Sequence, residues 1–443
     1  MIPIMKKTIL LLTFAISSFS FADEANPTQE EYAQALLSAV GDRGQRLNQM
    51  IRAFASYCGT PEHFGSGMGG NCDDIYYQAL QGNTAVILKV LKVLRPREIV
   101  QSTRKSTEVM ASQQANISAR MAHIRSGGNN LTQTNQQNNS STGILSYNSD
   151  GSSGGDFVSP WGFFVNGKFS SGDYNYVDTQ DEGFDFDTDG LTMGIDYRLN
   201  DKSALGLAVG YAKFESSTFE DSSVKTKAVT FSAYGTFNIT DNFYADVKAS
   251  YSEPEINQDR VLNFIVGPNQ NVAVAQGETQ SYQHSVVVSS GYQFNSKNGW
   301  QITPSLSFEY SQSSMNEFVE NGASVWNVAY SEQTYRTLRS VASLQVNKAL
   351  SLSRGVLIPS FGVSFIHENQ NNDNNMYMRV DGMPIDEFFE TDMNFVDSDY
   401  NLANIALTFV GSQNKQAFIQ YSKVFNWNEI DQYNINLGAR FEF

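Results

Sequence analysis

The chain has 443 residues, with 30 Lys and Arg against 46 Asp and Glu and a net charge of −16. So acidic a chain has no electrostatic footing for nucleic acid, whose binding depends on Lys and Arg displacing counterions from phosphates. Only 41% of residues are hydrophobic and 17% charged, yet 12% are aromatic and glycine occurs 33 times. That recipe suits many strands with an apolar outer face and a polar inner face better than it suits an enzyme core.

Lys6-Lys7 precede an apolar run from Thr8 to Phe21 that ends in Ser20-Phe21-Ala22. A charged start, a short apolar core and small residues at the end describe a secretory signal peptide over residues 1–22, cleaved after Ala22. The run is shorter than the roughly 20 residues a spanning helix needs, and no later apolar stretch of about 18 residues recurs. Export without a transmembrane helix leaves the periplasm, the medium or a barrel in the outer membrane.

Residues 23–126 read as a small helical domain. Cys58 and Cys72 bracket a Gly-rich stretch, Gly59 to Asn71. In an oxidising compartment such a pair most simply closes a disulfide. Zinc is a poor alternative, because His63 is the only nearby imidazole and the paired short spacings of zinc sites are missing. Ala33, Leu36, Leu37, Val40, Leu47, Ile51 and Phe54 recur at three and four, giving one apolar face. Asp73 or Asp74 can cap a second helix, and Gly82-Asn83-Thr84 separates it from Ala85–Leu94. Pro96 suits the first turn of a polar helix over 96–125, whose narrow stripe is Ile99, Thr103, Met110, Ile117, Met121 and Ile124. Such a helix, about 45 Å long at 1.5 Å per residue, could thread a polar pore or pack on the first two helices. Residues 127–159 are Gly, Asn, Ser and Gln with almost no apolar residue, which reads as a flexible linker.

After the linker the period switches from 3.6 to 2. In the last run Tyr433, Ile435, Leu437, Ala439, Phe441 and Phe443 face one way, and Asn434, Asn436, Gly438, Arg440 and Glu442 the other. In water this would strand an aromatic stripe; in a barrel the stripe faces lipid and the polar set the lumen. Alternation of this kind recurs to give twelve runs, an even number as single-chain bacterial barrels have. Connections at Asn200–Ser203, Thr240–Asn242, Asn295–Gly299, Asn347–Arg354 and Gly411–Lys415 are short. Those near Ser170–Asp187, Glu215–Val224, Ser252–Gln280, Ser311–Tyr335 and His367–Asp397 are long. The strict alternation is that of periplasmic turns and extracellular loops in a Gram-negative outer membrane. The expected fold is an all-β transmembrane barrel of twelve antiparallel strands over 160–443, with a small α-helical N-terminal domain.

Several blocks carry a family resemblance. Gly190-Leu191-Thr192-Met193-Gly194-Ile195-Asp196-Tyr197-Arg198-Leu199, then Asp201 and Leu205-Gly206-Leu207-Ala208-Val209-Gly210-Tyr211, resemble the β-domain of bacterial autotransporters, the barrels of type V secretion. So do Trp161–Gly167, Asp181–Asp187, Gly355–Pro359 and the terminal Phe443. Leu94–Gly128 is similar to the helix that precedes that domain, with Arg120, Arg125 and Gly127-Gly128 in place, although Arg95 stands where the family often has Ser. The resemblance implies that Tyr433, Phe441 and Phe443 form the signal read by the barrel-assembly machinery. It also implies periplasmic chaperones, outer-membrane lipid and lipopolysaccharide as partners. One departure is plain: no repetitive β-helical passenger precedes the barrel, only the short helical domain.

Chemistry offers little. Asp185, Asp187 and Asp189 open a D-x-D-x-D-G pattern, a weak calcium candidate with Asp196 at its twelfth position. An acidic loop outside the cell explains it as well. The four histidines, His63, His123, His284 and His367, form no nucleophile pairing; Val286 stands where a dyad serine would need to follow His284, and His367-Glu368 suits a rim hydrogen bond. Asn129-Asn130 lies in an Asn-rich linker rather than inside a helix, which disfavours self-cleavage. No enzyme activity and no cofactor are expected. Three functional expectations stand: a translocator-like barrel with a helical segment in or through its pore, a non-exporting pore or structural barrel with a periplasmic helical module, and an adhesin acting through loops such as Ser252–Gln280 and His367–Asp397.

Overall fold

The computed structural model describes residues 26–41, 45–94, 97–106, 109–127, 160–175, 183–218, 221–296, 298–370, 375–380, 389–392, 398–411 and 415–442. The expected signal peptide, Arg95-Pro96, most of the 127–159 linker with Asn129-Asn130, and Phe443 lie outside the described residues.

Among the described residues seven helices come first: α1 (Gln29–Val40), α2 (Gln45–Cys58), α3 (Gly67–Gly70), α4 (Cys72–Leu80), α5 (Thr84–Leu94), α6 (Arg97–Ser106) and α7 (Val109–Gly127). Thr28 and Glu31 form a reciprocal capping box on α1, so two otherwise orphaned backbone donors find side-chain oxygens. The single apolar face expected from Ala33 to Phe54 is interrupted, because Gly41 at φ 74° takes the position after Val40 that glycine occupies at low steric cost. The stripe expected over 96–125 falls on two described helices, α6 and α7.

The strands follow: β1 (Trp161–Tyr174), β2 (Phe184–Asn200), β3 (Ser203–Thr218), β4 (Ser223–Asn238), β5 (Phe243–Ser252), β6 (Glu255–Val266), β7 (Asn269–Tyr292), β8 (Phe294–Asn295), β9 (Trp300–Met315) and β10 (Phe318–Val319). After them come β11 (Val328–Tyr330), β12 (Gln333–Lys348), β13 (Leu350–Leu352), β14 (Gly355–Gln370), β15 (Asn375–Val380), β16 (Phe389–Asp392), β17 (Asp399–Gly411), β18 (Gln416–Phe425) and β19 (Ile430–Glu442). Twelve of them form the wall in the order β1-β2-β3-β4-β5-β7-β9-β12-β14-β17-β18-β19, and β19 pairs back onto β1, from Gly162 opposite Glu442 to Tyr174 opposite Ile430. Closure leaves no free sheet edge, which is what a β structure needs in hydrocarbon. Every sequence run of alternating residues maps to one wall strand. Leu205, Leu207, Val209 and Tyr211 on β3 are exposed on the outside, while Ala204, Ala208 and Ala212 between them are buried inside. No described helix is long and apolar enough to cross a membrane.

Within the connections expected as long loops, the described residues are mostly strand. β1 runs on to Tyr174 and β2 begins at Phe184, with Asp185 opposite Asp173. The segment Ser252–Gln280 becomes a hairpin: β6 pairs with β7 from Glu255–Gln280 up to Val266–Asn269, and its lower end also pairs with β4. At about 3.3 Å per residue, the 24 residues of β7 span about 80 Å, far more than a bilayer requires. A second sheet, β10-β11-β15-β16, is assembled from the connections after β9 and β14.

The helical domain sits on this long-connection end. Tyr32, Leu36, Ile51, Phe54, Ile75, Ile87 and Val90 from the helices share one buried core with Ile256, Leu262, Phe264 and Val266 of β6, with Trp326, and with Met376 and Met378 of β15. It is a cap on the barrel rather than an independent appendage.

Candidate functional site in the barrel lumen

The inner wall of β2 and β3 is built from small residues. Gly190, Thr192 and Gly194 alternate on β2, and Ala204, Gly206, Ala208, Gly210 and Ala212 on β3. A side chain at Gly190 would meet Ser112 Oγ at 2.7 Å, and one at Gly210 would run into the Gln113 amide. Missing side chains therefore create the space that α7 fills. Ile117, Met121 and Ile124 from the expected stripe pack on Phe164, Ala204, Ala208 and Tyr234. Of the two placements open for that stripe, its α7 end takes the lumen, whereas Ile99 on α6 joins the buried core of the helical domain.

Polar contacts fix the direction of the helices. Near the short-turn end Arg125 pairs with Asp246 of β5 and lies over the Tyr244 ring at 3.9 Å. One turn further in, Arg120 grips Asp196 of β2 with two bonds of 2.6 and 2.5 Å; Tyr234 donates to the same carboxylate at 3.0 Å, and both charges are almost fully buried. Asn116 donates to Thr192 at 2.8 Å and accepts, through its backbone carbonyl, from Asn166 at 2.9 Å. Lys248 reaches Gln114 O at 3.2 Å and Ser118 Oγ at 2.5 Å.

Towards the long-connection end α6 takes over. Its Ser102 bonds Ser216 of β3. Arg104 donates to Glu368 at 2.7 Å and to the Tyr335 hydroxyl, while Arg339 joins Glu368 at 3.2 Å. Lys105 bonds Gln432 at 2.9 Å and lies over the rings of Phe186 and Trp427. Burial makes such pairs costly unless the remaining donors and acceptors also find partners; Tyr234, Tyr335 and the Arg339 guanidinium supply some of them, whereas Arg120 Nη1 and Asp246 Oδ1 are buried without one among the described residues. The arrangement can hold a polar helix in one register. It assembles no nucleophile with a base, and among the described residues no group of three or more His, Cys, Asp or Glu is placed to hold a metal ion.

The three aspartates of the weak calcium candidate fall on a strand. Asp185, Asp187 and Asp189 lie on β2, exposed on its outer face, so an extended chain points them along the wall instead of folding them round an ion. Asp196, its proposed twelfth ligand, points inward to Arg120. Cys58 and Cys72 are joined, with 5.2 Å between their Cα atoms. Tyr433 and Phe441 are exposed on the lipid side of β19. His367 bonds Asp399 at 2.9 Å on the outer rim, while its neighbour Glu368 turns into the lumen.

Sequence reasoning noticed Arg120 and Arg125 only through the resemblance and missed their partners Asp196 and Asp246, along with Arg104–Glu368. The available signal was the alternation of small inward residues on β2 and β3, opposite a helix carrying Gln113, Asn116 and two arginines.

Comparison with known proteins agrees with this geometry. The autotransporter beta-domain profile matches residues 161–422. Outer membrane protein B of Rickettsia typhi is 22% identical over 265 residues, which cover 58% of this chain and 16% of that protein. Outer membrane protein A of Rickettsia rickettsii is 24% identical over 207 residues, 45% of this chain and 9% of that one. The chain thus spans well under a fifth of the length of these relatives. Among solved structures, the translocator domain of the autotransporter NalP from Neisseria meningitidis superposes with a TM-score of 0.54 at 14% identity, covering 76% of this chain and 98% of that one. A closed twelve-stranded wall, a polar helix seated inside it and the matching profile over more than half the chain lead to one conclusion: this protein belongs to the autotransporter beta-domain family and resides in the outer membrane.

Proposed function

We propose that this barrel carries its own helical domain to the cell surface and keeps it there, with α6 and α7 left in the lumen as a tether. The observation that carries the reading is the buried core shared by the helical domain and the strands at the long-connection end. Short turns belong to the periplasmic side of outer-membrane barrels and long connections to the outside, so a cap on the long connections faces outward. The tether then runs down the lumen to Arg125, near the periplasmic turns. No hydrolytic step enters this reading. Residues 1–22 would serve as export signal and 127–159 as the linker back to β1. Tyr433, Phe441 and Phe443 would be recognised by the barrel-assembly machinery, with periplasmic chaperones acting before insertion; lipid and lipopolysaccharide would contact the outer face.

A protease recognition site placed in the exposed Gly82-Asn83 turn tests the proposal. On intact cells, added protease should cut there; protection in intact cells with cutting after permeabilisation would favour the periplasmic-module reading instead. The adhesin reading has no specific support beyond the length of the outer connections.

A further inference from the structure

The border between helical domain and barrel, clear in the sequence, does not fall where the packing divides. The β6–β7 hairpin rises beyond the apolar belt, and its inner face carries Ile256, Leu262, Phe264 and Val266, buried in one core with the cap and the second sheet. A two-stranded hairpin is marginal in water unless its apolar face is covered. The cap is equally incomplete. Its helices run from 4 to 14 residues, lengths that are marginal alone, and a domain this small buries too little surface to be secure.

Polar groups cross the same seam. Arg260 of β6 donates to the Val93 carbonyl near the end of α5 at 3.0 Å and to Trp326 O at 2.7 Å, while pairing with buried Glu320. Glu320 in turn accepts from Val328 N at 2.8 Å, Tyr330 at 3.1 Å and Gln258 at 3.0 Å. A cation at the C-terminal end of a helix satisfies carbonyls that the helix leaves open. Asn269 bonds Asp74 at 2.9 Å, and Asn271 bonds Asn71 at 3.1 Å. Each half therefore holds groups, apolar and polar, that the other half helps to satisfy.

We infer that the inner face of the β6–β7 hairpin is a docking surface for the cap of the same chain, and that hairpin, second sheet and cap form one cooperative folding unit distinct from the membrane wall. The inference rests on packing and is independent of which side of the membrane the unit faces. The test is hydrogen exchange on the full-length protein in detergent, with heat-modifiable migration verifying that the barrel is closed. In Leu262→Ser/Phe264→Ser, exchange across 29–94 should rise at least tenfold while β1–β3 and β17–β19 remain protected. In Ile51→Ala/Phe54→Ala, within the cap and away from the hairpin, exchange across 255–277 should rise by a similar factor. Val272→Ser, on the exposed face of the same hairpin, should alter neither region. Full protection of the cap in the hairpin variant, or of the hairpin in the cap variant, would overturn the inference.

Discussion

Single residues decide whether the lumenal helix stays seated. Arg120 and Asp196 are buried together with the Tyr234 hydroxyl, and removing one partner of such a pair leaves an uncompensated charge at a cost of about 3–5 kcal/mol. Arg120→Leu should therefore make α7 susceptible to proteolysis in detergent, whereas Arg120→Leu/Asp196→Leu should recover most of the resistance. A double variant no better than the single one would deny the coupling. Two carboxylates outside the membrane give the cap opposite pH responses. The Glu31 carboxylate is held below its ordinary value of 4.5 by the Thr28 backbone N–H first and the Thr28 hydroxyl second. Its contribution is complete above that ordinary value and is lost as the pH falls through the lowered one. Asp74, at the Gly267 turn, is pushed above its ordinary 3.8 by burial first and by Asp73 second, against the Asn269 hydrogen bond. Its contribution is full below the ordinary value and is lost as the pH rises through the raised one. In near-ultraviolet melts of the cap, Asp74→Asn should raise the melting temperature at neutral pH. Glu31→Gln should lower it there and flatten its fall in acid.

Elements were legible in proportion to how regularly lipid and water alternate around them. The wall strands faced lipid on one side and a polar lumen on the other, so Leu205-Leu207-Val209-Tyr211 declared its strand and its orientation from sequence alone. Beyond the membrane that contrast ends. β6 has Asn257, Asp259 and Asn263 outside and Gln258 and Arg260 among its inward residues, and the stretch reads as loop although it is a paired strand. Placement of the narrow apolar stripe on α7 stayed open for a related reason: periodicity names a face, and its partner, here a groove of glycines and alanines, lies far along the chain on β2 and β3. That groove makes a prediction at this scale. Gly210→Val should unseat α7, because its new side chain collides with Gln113, and adding Gln113→Ala should restore protease resistance of the helix; failure of the second change to help would place the clash elsewhere. The bond between Cys58 and Cys72, 14 residues apart, should stabilise the cap by about 3 kcal/mol in the chain-entropy account. Cys58→Ser/Cys72→Ser should lower the melting temperature of the cap while heat-modifiable migration of the barrel stays unchanged.

At the scale of the whole molecule, the modest share of apolar residues and the high aromatic content belong to one design: the inward half of each strand is largely polar or small, and the outward half, rich in exposed aromatic and aliphatic residues, faces lipid. The chain inserts two of its own helices where an open barrel would hold water, and it covers the far mouth with the fold that precedes them. Sidedness is the central claim, and a pair of epitope tags tests it most directly. One tag goes into the Gly82-Asn83 turn of the cap and the other into the Asp241-Asn242 turn between β4 and β5. On intact cells antibody should stain the first and not the second, and permeabilisation should reveal the second. Staining of the turn tag with a silent cap tag on intact cells would contradict the account.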